Sequence, residues 1–214
     1  MSQDISGYRS EYAYAGLHED TVSADPFHQF GQWFQEAIAL NIDLANAMVV
    51  ATADANGQPA ARYVLLKEYS SAGFVFYTNS LSQKGRQLVG NPQAALLFYW
   101  KEMHRQIRIE GRVVQIADSR SDEYFASRPR GSQISAWVAP QSSIVPSHDW
   151  MQDRVNALSS QYEDSPVPRP PDWTGYQVIP HWFEFWQGQE NRLHDRLAYQ
   201  QNASGDWVIT RLAP

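Results

Sequence analysis

The chain of 214 residues contains no cysteine. This absence excludes disulfide bonds, cysteine nucleophiles, and metal or iron–sulfur sites held by thiolates. Also absent are a Gly-x-Gly-x-x-Gly fingerprint, a P-loop, a His-Glu-x-x-His metal motif and a Gly-x-Ser-x-Gly elbow. No apolar run approaches a membrane span, and no signal peptide is recognisable, so we expect a cytoplasmic protein without a membrane partner.

Basic residues are in the minority, with 17 Lys and Arg against 23 Asp and Glu and a net charge of -6. This balance disfavours non-specific binding to nucleic acid, so arginine clusters in this chain are expected to meet small anions. Aromatic residues are plentiful, with 8 Trp and 11 Tyr. Such a composition suits flat ligands or a large interface.

The order of the predicted elements favours a mainly β, α+β fold. Residues 1–24 are polar and are predicted to form a mobile arm, and residues 25–214 are predicted to form a single domain. About seven strands follow one another like hairpins, with helices inserted. This succession disfavours a βαβ sheet and predicts a mostly antiparallel barrel with peripheral helices.

Several element boundaries carry sequence signals. Asp25-Pro26 is typical of a helix start, and Asp54–Gly57 of a hairpin turn between strands. Further helices are predicted over Ser82–Val89, from Ser119 with Asp122 completing a capping box, and over Ser132–Val138 and Ser147–Tyr162. Strands are predicted over Ala47–Ala53, Arg62–Tyr69, Gly73–Asn79, Ala94–Trp100, Gln106–Ile116, Tyr176–Trp186, Arg192–Gln201 and Trp207–Leu212.

The segment Arg192–Leu197 concentrates cations near the C-terminus. In a strand, Arg192, His194 and Arg196 would share one face, because side chains alternate between faces. The aromatic run Phe183–Trp186 lies just upstream. Guanidinium groups and an imidazole beside aromatic rings would suit a flat anionic ligand. The alternative is an exposed edge strand whose charges discourage pairing with other chains.

Three other clusters suggest phosphate binding. In Arg62–Lys67, alternation offers one cation to each face of a strand. Tyr77–Asn79 leads to Ser82–Lys84, where a helix start would bring amides, hydroxyls and a lysine together. In Tyr124–Gln133, Tyr124 and Arg128 share a helical face, and Ser132 is expected to start the next helix. Strand-end charges, helix capping by Ser82 and loop polarity are the simpler readings.

Taken together, these strings resemble the pyridoxamine/pyridoxine 5′-phosphate oxidase family, which are FMN enzymes of vitamin B6 metabolism. The resemblance runs from about Arg9 to Pro214. Its most specific strings are Ala47–Thr52, Arg62–Lys67, Phe76–Asn79, Ser127–Trp137, Glu184–Gly188 and Arg192–Arg196. It implies a split antiparallel β-barrel homodimer with FMN at the interface. The implied reaction oxidises pyridoxine and pyridoxamine 5′-phosphates to pyridoxal 5′-phosphate with O2, releasing H2O2, and NH3 from the amine.

The resemblance also implies roles for individual residues. Arg192 and His194 would be catalytic, over the substrate ring. FMN would be bound by Arg62, Tyr63, Val64, Leu65, Leu66, Lys67, Tyr77, Thr78, Lys84, Gln106, Gln141, Ser142, Trp186 and Arg196, some of them supplied by the partner subunit. The substrate would be bound by Arg9, Tyr12, Lys67, Tyr124, Arg128, Ser132, Arg192 and His194. No metal is implied.

Two other functions remain open at this stage. The phenazine-biosynthesis flavin oxidases share the barrel, but Lys67 and the set of Tyr124, Arg128 and Ser132 favour a phosphorylated substrate. A non-catalytic protein that binds FMN or pyridoxal phosphate is the second alternative. Retention of Arg192 and His194 argues for catalysis.

Overall fold

The computed structural model describes residues 16–214, which form five α-helices and nine β-strands. The helices are α1 Pro26–Ala39, α2 Gln83–Gly90, α3 Asp118–Ser127, α4 Arg130–Ser135 and α5 His148–Gln161. The strands are β1 Ala47–Ala53, β2 Pro59–Leu65, β3 Glu68–Ser70, β4 Gly73–Asn79, β5 Gln93–Trp100, β6 Arg105–Gln115, β7 Trp173–Gln187, β8 Asp195–Gln201 and β9 Trp207–Arg211. Among these residues, no helix combines the length and apolarity that crossing a membrane requires.

The strands form one sheet in the order β2-β1-β5-β6-β7-β4-β3, and β8 pairs with both β7 and β9. The pairs β3–β4, β4–β7, β7–β8 and β8–β9 are antiparallel. The chain divides into two compact units, and β1, β5, β6 and β7 each pass from one unit into the other. Of the described residues, unit 1 comprises 16–49, 95–110 and 180–214, and unit 2 comprises 50–94 and 111–179. The predicted arm and single domain stay a prediction.

Unit 1 contains α1 and the strands β8 and β9. Asp25 caps α1 as expected, since its carboxylate accepts a hydrogen bond from the Phe27 amide at 2.8 Å. The buried face of α1 includes Phe30, Trp33 and Ala37. Within the same unit, the Leu17 amide donates to the Asp195 carboxylate at 3.1 Å. Leu17, which lies inside the predicted arm of residues 1–24, is thus hydrogen-bonded to β8.

The opening of β8 corrects a sequence prediction. Arg192 lies in a short 3-10 helix, Glu190–Arg192, and the strand begins only at Asp195, so Arg192 and His194 are not strand residues. The chain must reverse between β7 and β8, and Asn191 and Arg192 adopt positive φ angles of 54° and 61° to do so. The geometry of the reversal therefore overrides the alternating pattern.

Unit 2 contains α2–α5 and a small apolar core between the later helices and the start of β7. The core consists of Phe125, Ile134, Leu158, Val167 and Trp173. Its helix α5, predicted over Ser147–Tyr162, spans His148–Gln161 and is capped by Ser147.

Two helix starts in unit 2 differ from the prediction. Helix α3 begins at Asp118 after Ala117 and has no side-chain cap, so the capping box from Ser119 is wrong. Helix α4 begins at Arg130, so Ser132 lies inside its first turn, and the Ser132 amide is bonded to the Pro129 carbonyl at 2.8 Å. Pro129 sets the start of α4, because its ring prevents α3 from continuing and its carbonyl accepts the first hydrogen bonds of α4.

The predicted strand Arg62–Tyr69 is interrupted. Strand β2 ends at Leu65 and β3 starts at Glu68. Along β2 the exposure alternates, so Arg62 and Val64 are half-buried while Tyr63 and Leu65 are exposed, as the pattern predicted. Leu66 is buried and Lys67 exposed beyond the strand end.

Candidate active site

A cavity of about 650 Å³ lies within unit 2. It is lined by the end of β2, the end of β4, the first turn of α2, and the α3–α4 corner. Its lining residues are Tyr63, Val64, Leu65, Lys67, Tyr77, Thr78, Asn79, Lys84, Tyr124, Ser127, Arg128, Pro129, Ser132, Ser135, Ala136, Ala139, Gln141 and Trp173. Three of these residues are basic, and no Asp or Glu is among them. The lining is therefore suited to anions.

One part of the cavity holds Lys84, which lies in the first turn of α2. Its Nζ donates to Thr78 Oγ1 and to Gln141 Oε1, both at 3.1 Å. Burial, and then the nearby charge of Arg62, lower the pKa of Lys84 to about 8. The helix start is positioned by Ser82, whose hydroxyl accepts from the Gly85 amide at 3.2 Å, so the capping interpretation is also correct.

Arg62 lies close to this lysine and is held by neutral oxygen atoms. Its Nη1 donates to Thr52 Oγ1 at 2.6 Å, to the Ala60 carbonyl at 3.0 Å and to the Val50 carbonyl at 3.2 Å. Burial lowers its pKa. Within residues 16–214 no carboxylate lies in ion-pair distance of it. Two neighbouring cations without a carboxylate are stabilised by a bound anion.

A second part of the cavity holds Arg128 against aromatic rings. Its guanidinium carbon lies 4.9 Å from the Trp173 ring centroid and 5.5 Å from that of Phe125. Its Nη1 is buried and has no hydrogen-bond partner in the described part of the chain. Burial lowers the pKa of Arg128. A buried N–H donor without a partner is costly unless a ligand accepts its hydrogen bond.

Three stacked rings form one wall of the cavity. Tyr77 lies 4.1 Å from Tyr124 and 5.1 Å from Trp173 between ring centroids, with interplanar angles of 20° and 11°. Lys67 Nζ lies 5.8 Å from the Tyr124 ring centroid. The wall therefore offers a flat surface bordered by cations, which suits a flat, phosphorylated molecule.

The structure brings most of the predicted phosphate-binding residues together. The whole set Lys67, Tyr124, Arg128 and Ser132 lines the cavity, and so do Tyr63, Val64, Leu65, Tyr77, Thr78, Lys84 and Gln141. Arg62, Leu66 and Ser142 belong to the same unit without lining it; Ser142 Oγ accepts from the Gln83 amide at 3.4 Å. Arg9 and Tyr12 lie outside the described residues.

The remaining predicted residues, Gln106, Trp186, Arg192, His194 and Arg196, belong to unit 1. Arg196 Nε donates to Glu184 Oε1 at 2.6 Å, and Arg108 Nη1 donates to Glu184 Oε2 at 2.9 Å. Glu184 is buried, and its carboxylate raises the pKa of Arg196. The guanidinium of Arg196 is thus fixed in orientation by a buried ion pair.

His194 has a defined tautomer in this arrangement. The Gln189 amide donates to its Nδ1 at 3.1 Å, which requires that Nδ1 carries no proton. Burial, and then the charge of Arg192, lower the pKa of His194. The imidazole, 4.7 Å from the Trp186 ring between centroids, is therefore neutral at pH 7 with its proton on Nε2.

Sequence reasoning missed Trp173 and Gln87. Gln87 is buried, and its Oε1 accepts from Thr52 Oγ1 at 2.6 Å and from Arg62 Nη2 at 3.5 Å. Its position three residues after Lys84, on the same helix face, was an available signal. Nothing in the sequence separates Trp173 from the other tryptophans.

The fold places the chain in a class. PhzG from Burkholderia lata 383, solved with tetrahydrophenazine-1-carboxylic acid, superposes with a TM-score of 0.87 at 29% identity over 92% of this chain and 98% of that one. The fold is thus a split antiparallel β-barrel, as predicted, and the chain is a split-barrel flavin oxidoreductase.

Sequence profiles are more specific. The profile described as "Pyridoxamine 5'-phosphate oxidase" matches residues 34–162, and "Pyridoxine 5'-phosphate oxidase C-terminal dimerisation region" matches residues 173–214. The chain belongs to the pyridoxamine 5′-phosphate oxidase family, with FMN as its cofactor, as its sequence predicted.

Full-length relatives agree with this assignment. The pyridoxine/pyridoxamine 5′-phosphate oxidase of Rubrobacter xylanophilus is 50% identical over 212 residues, which are 99% of this chain and 97% of the relative. That of Acaryochloris marina is 48% identical over 210 residues, 98% of this chain and 95% of the relative.

Proposed function

We propose that this enzyme oxidises pyridoxine 5′-phosphate and pyridoxamine 5′-phosphate to pyridoxal 5′-phosphate, using FMN and O2. The observation that carries the proposal is the cationic cavity of unit 2, which combines Lys67, Arg128 and Lys84 with a stacked aromatic wall and no lining carboxylate. Relatives that cover nearly the whole chain at about half identity, and that are named for this reaction, support it.

The two phosphate groups are assigned to different sets of cations in unit 2. Arg62 and Lys84 would hold the phosphate of FMN, because they are adjacent cations whose present partners are neutral. Arg128, with a buried N–H donor that lacks a partner, would hold the substrate phosphate together with Lys67 and Ser132. Each charge-assisted hydrogen bond of this kind contributes about 1.5–3 kcal/mol.

When bound, FMN would supply the redox chemistry, a two-electron exchange between the C4′ carbon of the substrate and O2. The protein orients the reactants and stabilises charge. Arg196, fixed by Glu184, would place positive charge beside the flavin, and Arg192 would hold the pyridine ring. His194 would donate a hydrogen bond from Nε2, which makes it an orienting residue rather than the general base.

The proposed assembly is a homodimer with FMN at the interface. The profile match over residues 173–214, described as a dimerisation region, supports it. Trp186, Arg192, His194 and Arg196 all fall within that match, so part of each site would be supplied by the partner subunit.

A phenazine-type flavin oxidase is the second candidate, because PhzG of Burkholderia lata superposes over nearly the full chain. The two candidates differ in the anion that they require. A phosphorylated vitamer would bind Lys67 and Arg128 through its phosphate. A phenazine precursor has a carboxylate and no phosphate.

Anaerobic reduction of the bound flavin tests the proposal directly. Pyridoxine 5′-phosphate should bleach the yellow holoenzyme within seconds, and pyridoxine without phosphate should do so far more slowly. Arg128→Ala should raise KM for the phosphorylated substrate about 10- to 100-fold with a smaller effect on kcat, because it removes binding of the phosphate. Bleaching by a reduced phenazine carboxylic acid, but not by pyridoxine 5′-phosphate, would favour the second candidate.

A further inference from the structure

We propose that Trp173 is a positioning residue that holds the guanidinium of Arg128 for the phosphate of the substrate. The role deepens the proposed function and rests on it. Trp173 contributes to substrate binding through Arg128, on which its ring stacks, rather than through chemistry of its own.

The position of Trp173 is fixed by its backbone. It is the first residue of β7 and pairs with Asn79 of β4. Its carbonyl accepts a hydrogen bond from Arg169 Nη1 at 2.6 Å, and its amide donates to the Pro170 carbonyl at 3.0 Å. Arg169 is in turn ion-paired with Asp122 of α3 at 2.6 Å. Arg169 thus links the backbone of Trp173 to α3, the helix whose C-cap residue is Arg128.

The indole ring is fixed as well. It stacks on Tyr77 at 5.1 Å and on Tyr124 at 6.0 Å, and it meets Phe125 edge-on at 5.1 Å between ring centroids. Only 7% of the residue is exposed. The face turned to Arg128 is therefore a rigid surface.

Arg128 depends on this surface for its orientation. It is the C-cap residue of α3, and its amide bonds to the Phe125 carbonyl at 3.2 Å. Within the described residues, its guanidinium has no carboxylate in ion-pair distance, and Nη1 is buried without a hydrogen-bond partner. An aromatic face orients a guanidinium while leaving its charge available, whereas a carboxylate would neutralise it. Trp173 thus preserves the full cation for a phosphate dianion.

The test replaces Trp173 and follows phosphate binding separately from turnover. Trp173→Leu in the FMN-loaded enzyme should raise KM for pyridoxine 5′-phosphate, and Ki for inorganic phosphate as competitive inhibitor, by roughly 3- to 30-fold, since a desolvated cation–π contact is lost. kcat should change by less than about threefold. Trp173→Phe, which keeps an aromatic face, should restore most of the loss in both constants.

A matched control exists in unit 1, where Arg108 lies 5.0 Å from the Trp182 ring centroid, almost the same cation–π geometry. Trp182→Leu should leave Ki for inorganic phosphate near the wild-type value, because Arg108 is linked through Glu184 to Arg196, which is proposed to lie beside the flavin and not at the phosphate. FMN content and the thermal midpoint are measured for every variant, so that a loss of folding is recognised.

Two outcomes would overturn the inference. One is an unchanged KM and Ki in folded Trp173→Leu. The other is an equal rise in KM when Trp173→Phe or Trp173→Leu is made in an Arg128→Ala background, because the effect would then not pass through Arg128. If Trp173→Leu fails to fold, Trp173→Met, which also lacks an aromatic face, is compared in the two backgrounds instead. Wild-type enzyme that is not reduced by pyridoxine 5′-phosphate contradicts the proposed function instead, whatever the variants do.

Discussion

At the scale of single residues, Lys84 in the cavity of unit 2 and its neighbour Arg62 both have neutral partners. Lys84 is bonded to a hydroxyl and an amide oxygen, and Arg62 to a hydroxyl and two carbonyls. Burying like charges together is unfavourable without an anion. A phosphate bound beside them would be stabilised by both cations, while burial, and then the charge of Arg62, lower the pKa of Lys84.

FMN affinity should consequently depend on pH. Because the pKa of Lys84 falls from 10.5 to about 8 in the folded chain, the lysine loses its proton as pH rises through 8. The phosphate of FMN is already a dianion there. The Kd of the apoprotein for FMN, measured by flavin fluorescence from pH 6.5 to 9.5, should therefore rise above pH 8, approaching tenfold per pH unit.

The same linkage predicts the sign of the effect on stability. Between about pH 8 and 10.5 the unfolded chain binds the Lys84 proton and the folded apoprotein does not, so this residue makes stability increase with pH in that window.

Two variants test the role of Lys84 in FMN affinity. Lys84→Met should bind FMN weakly and with a flat pH profile, whereas Lys101→Met, at an exposed lysine, should behave like wild type. A wild-type Kd that stays constant to pH 9.5 would contradict the assignment.

The tautomer of His194 leads to a second prediction at this scale. If Nε2–H is the functional group, His194→Gln, whose amide NH2 reaches the Nε2 position, should retain kcat for pyridoxine 5′-phosphate within about tenfold of wild type. His194→Asn, whose amide matches Nδ1, should lose a further 10- to 100-fold, about the value of one charge-assisted hydrogen bond. Equal losses in the two variants would refute the donor role.

At the scale of elements, the short helix α2 carries Lys84 and packs very closely on the segment that precedes it. A Cβ placed on Gly85 would lie 2.2 Å from the Ser80 carbonyl oxygen and within 2.7 Å of two further backbone atoms of Ser80. Backbone cannot move aside as a flexible side chain can. The first turn of α2 can therefore occupy its position only with glycine next to Lys84.

Gly85→Ala should displace this turn, lowering the free energy of unfolding by about 1–3 kcal/mol and weakening FMN binding. Urea unfolding and the Kd for FMN measure the two effects. Gly131→Ala in α4 is the matched control, because no atom lies within 4 Å of its added Cβ; its stability should be unchanged or slightly higher. A Gly85→Ala protein with wild-type FMN affinity would show that the turn is not constrained.

The elements themselves were predictable where local chemistry decides them. Strands β1 and β4 have the predicted bounds, and the caps Asp25 and Ser82 are where the sequence placed them. Predictions were wrong at Arg192–His194, at the start of α3 near Ser119, and at Ser132. Positive φ angles override the alternation at Arg192, and Pro129 starts α4 before Ser132, because local patterns contain no information about the direction of the following element.

At the scale of the whole molecule, the sequence determined the class of fold, the family, the cofactor and the residues that could meet phosphate, because local strings such as Arg62–Lys67 and Ser127–Trp137 carry that chemistry themselves. Only the tertiary structure decided which cations share the cavity, that the charge of Arg62 helps to lower the pKa of Lys84, that Glu184 fixes Arg196, and that Trp173 supports Arg128. These are contacts between residues distant in the chain. They depend on burial and on the packing of strands and helices, which no local pattern encodes.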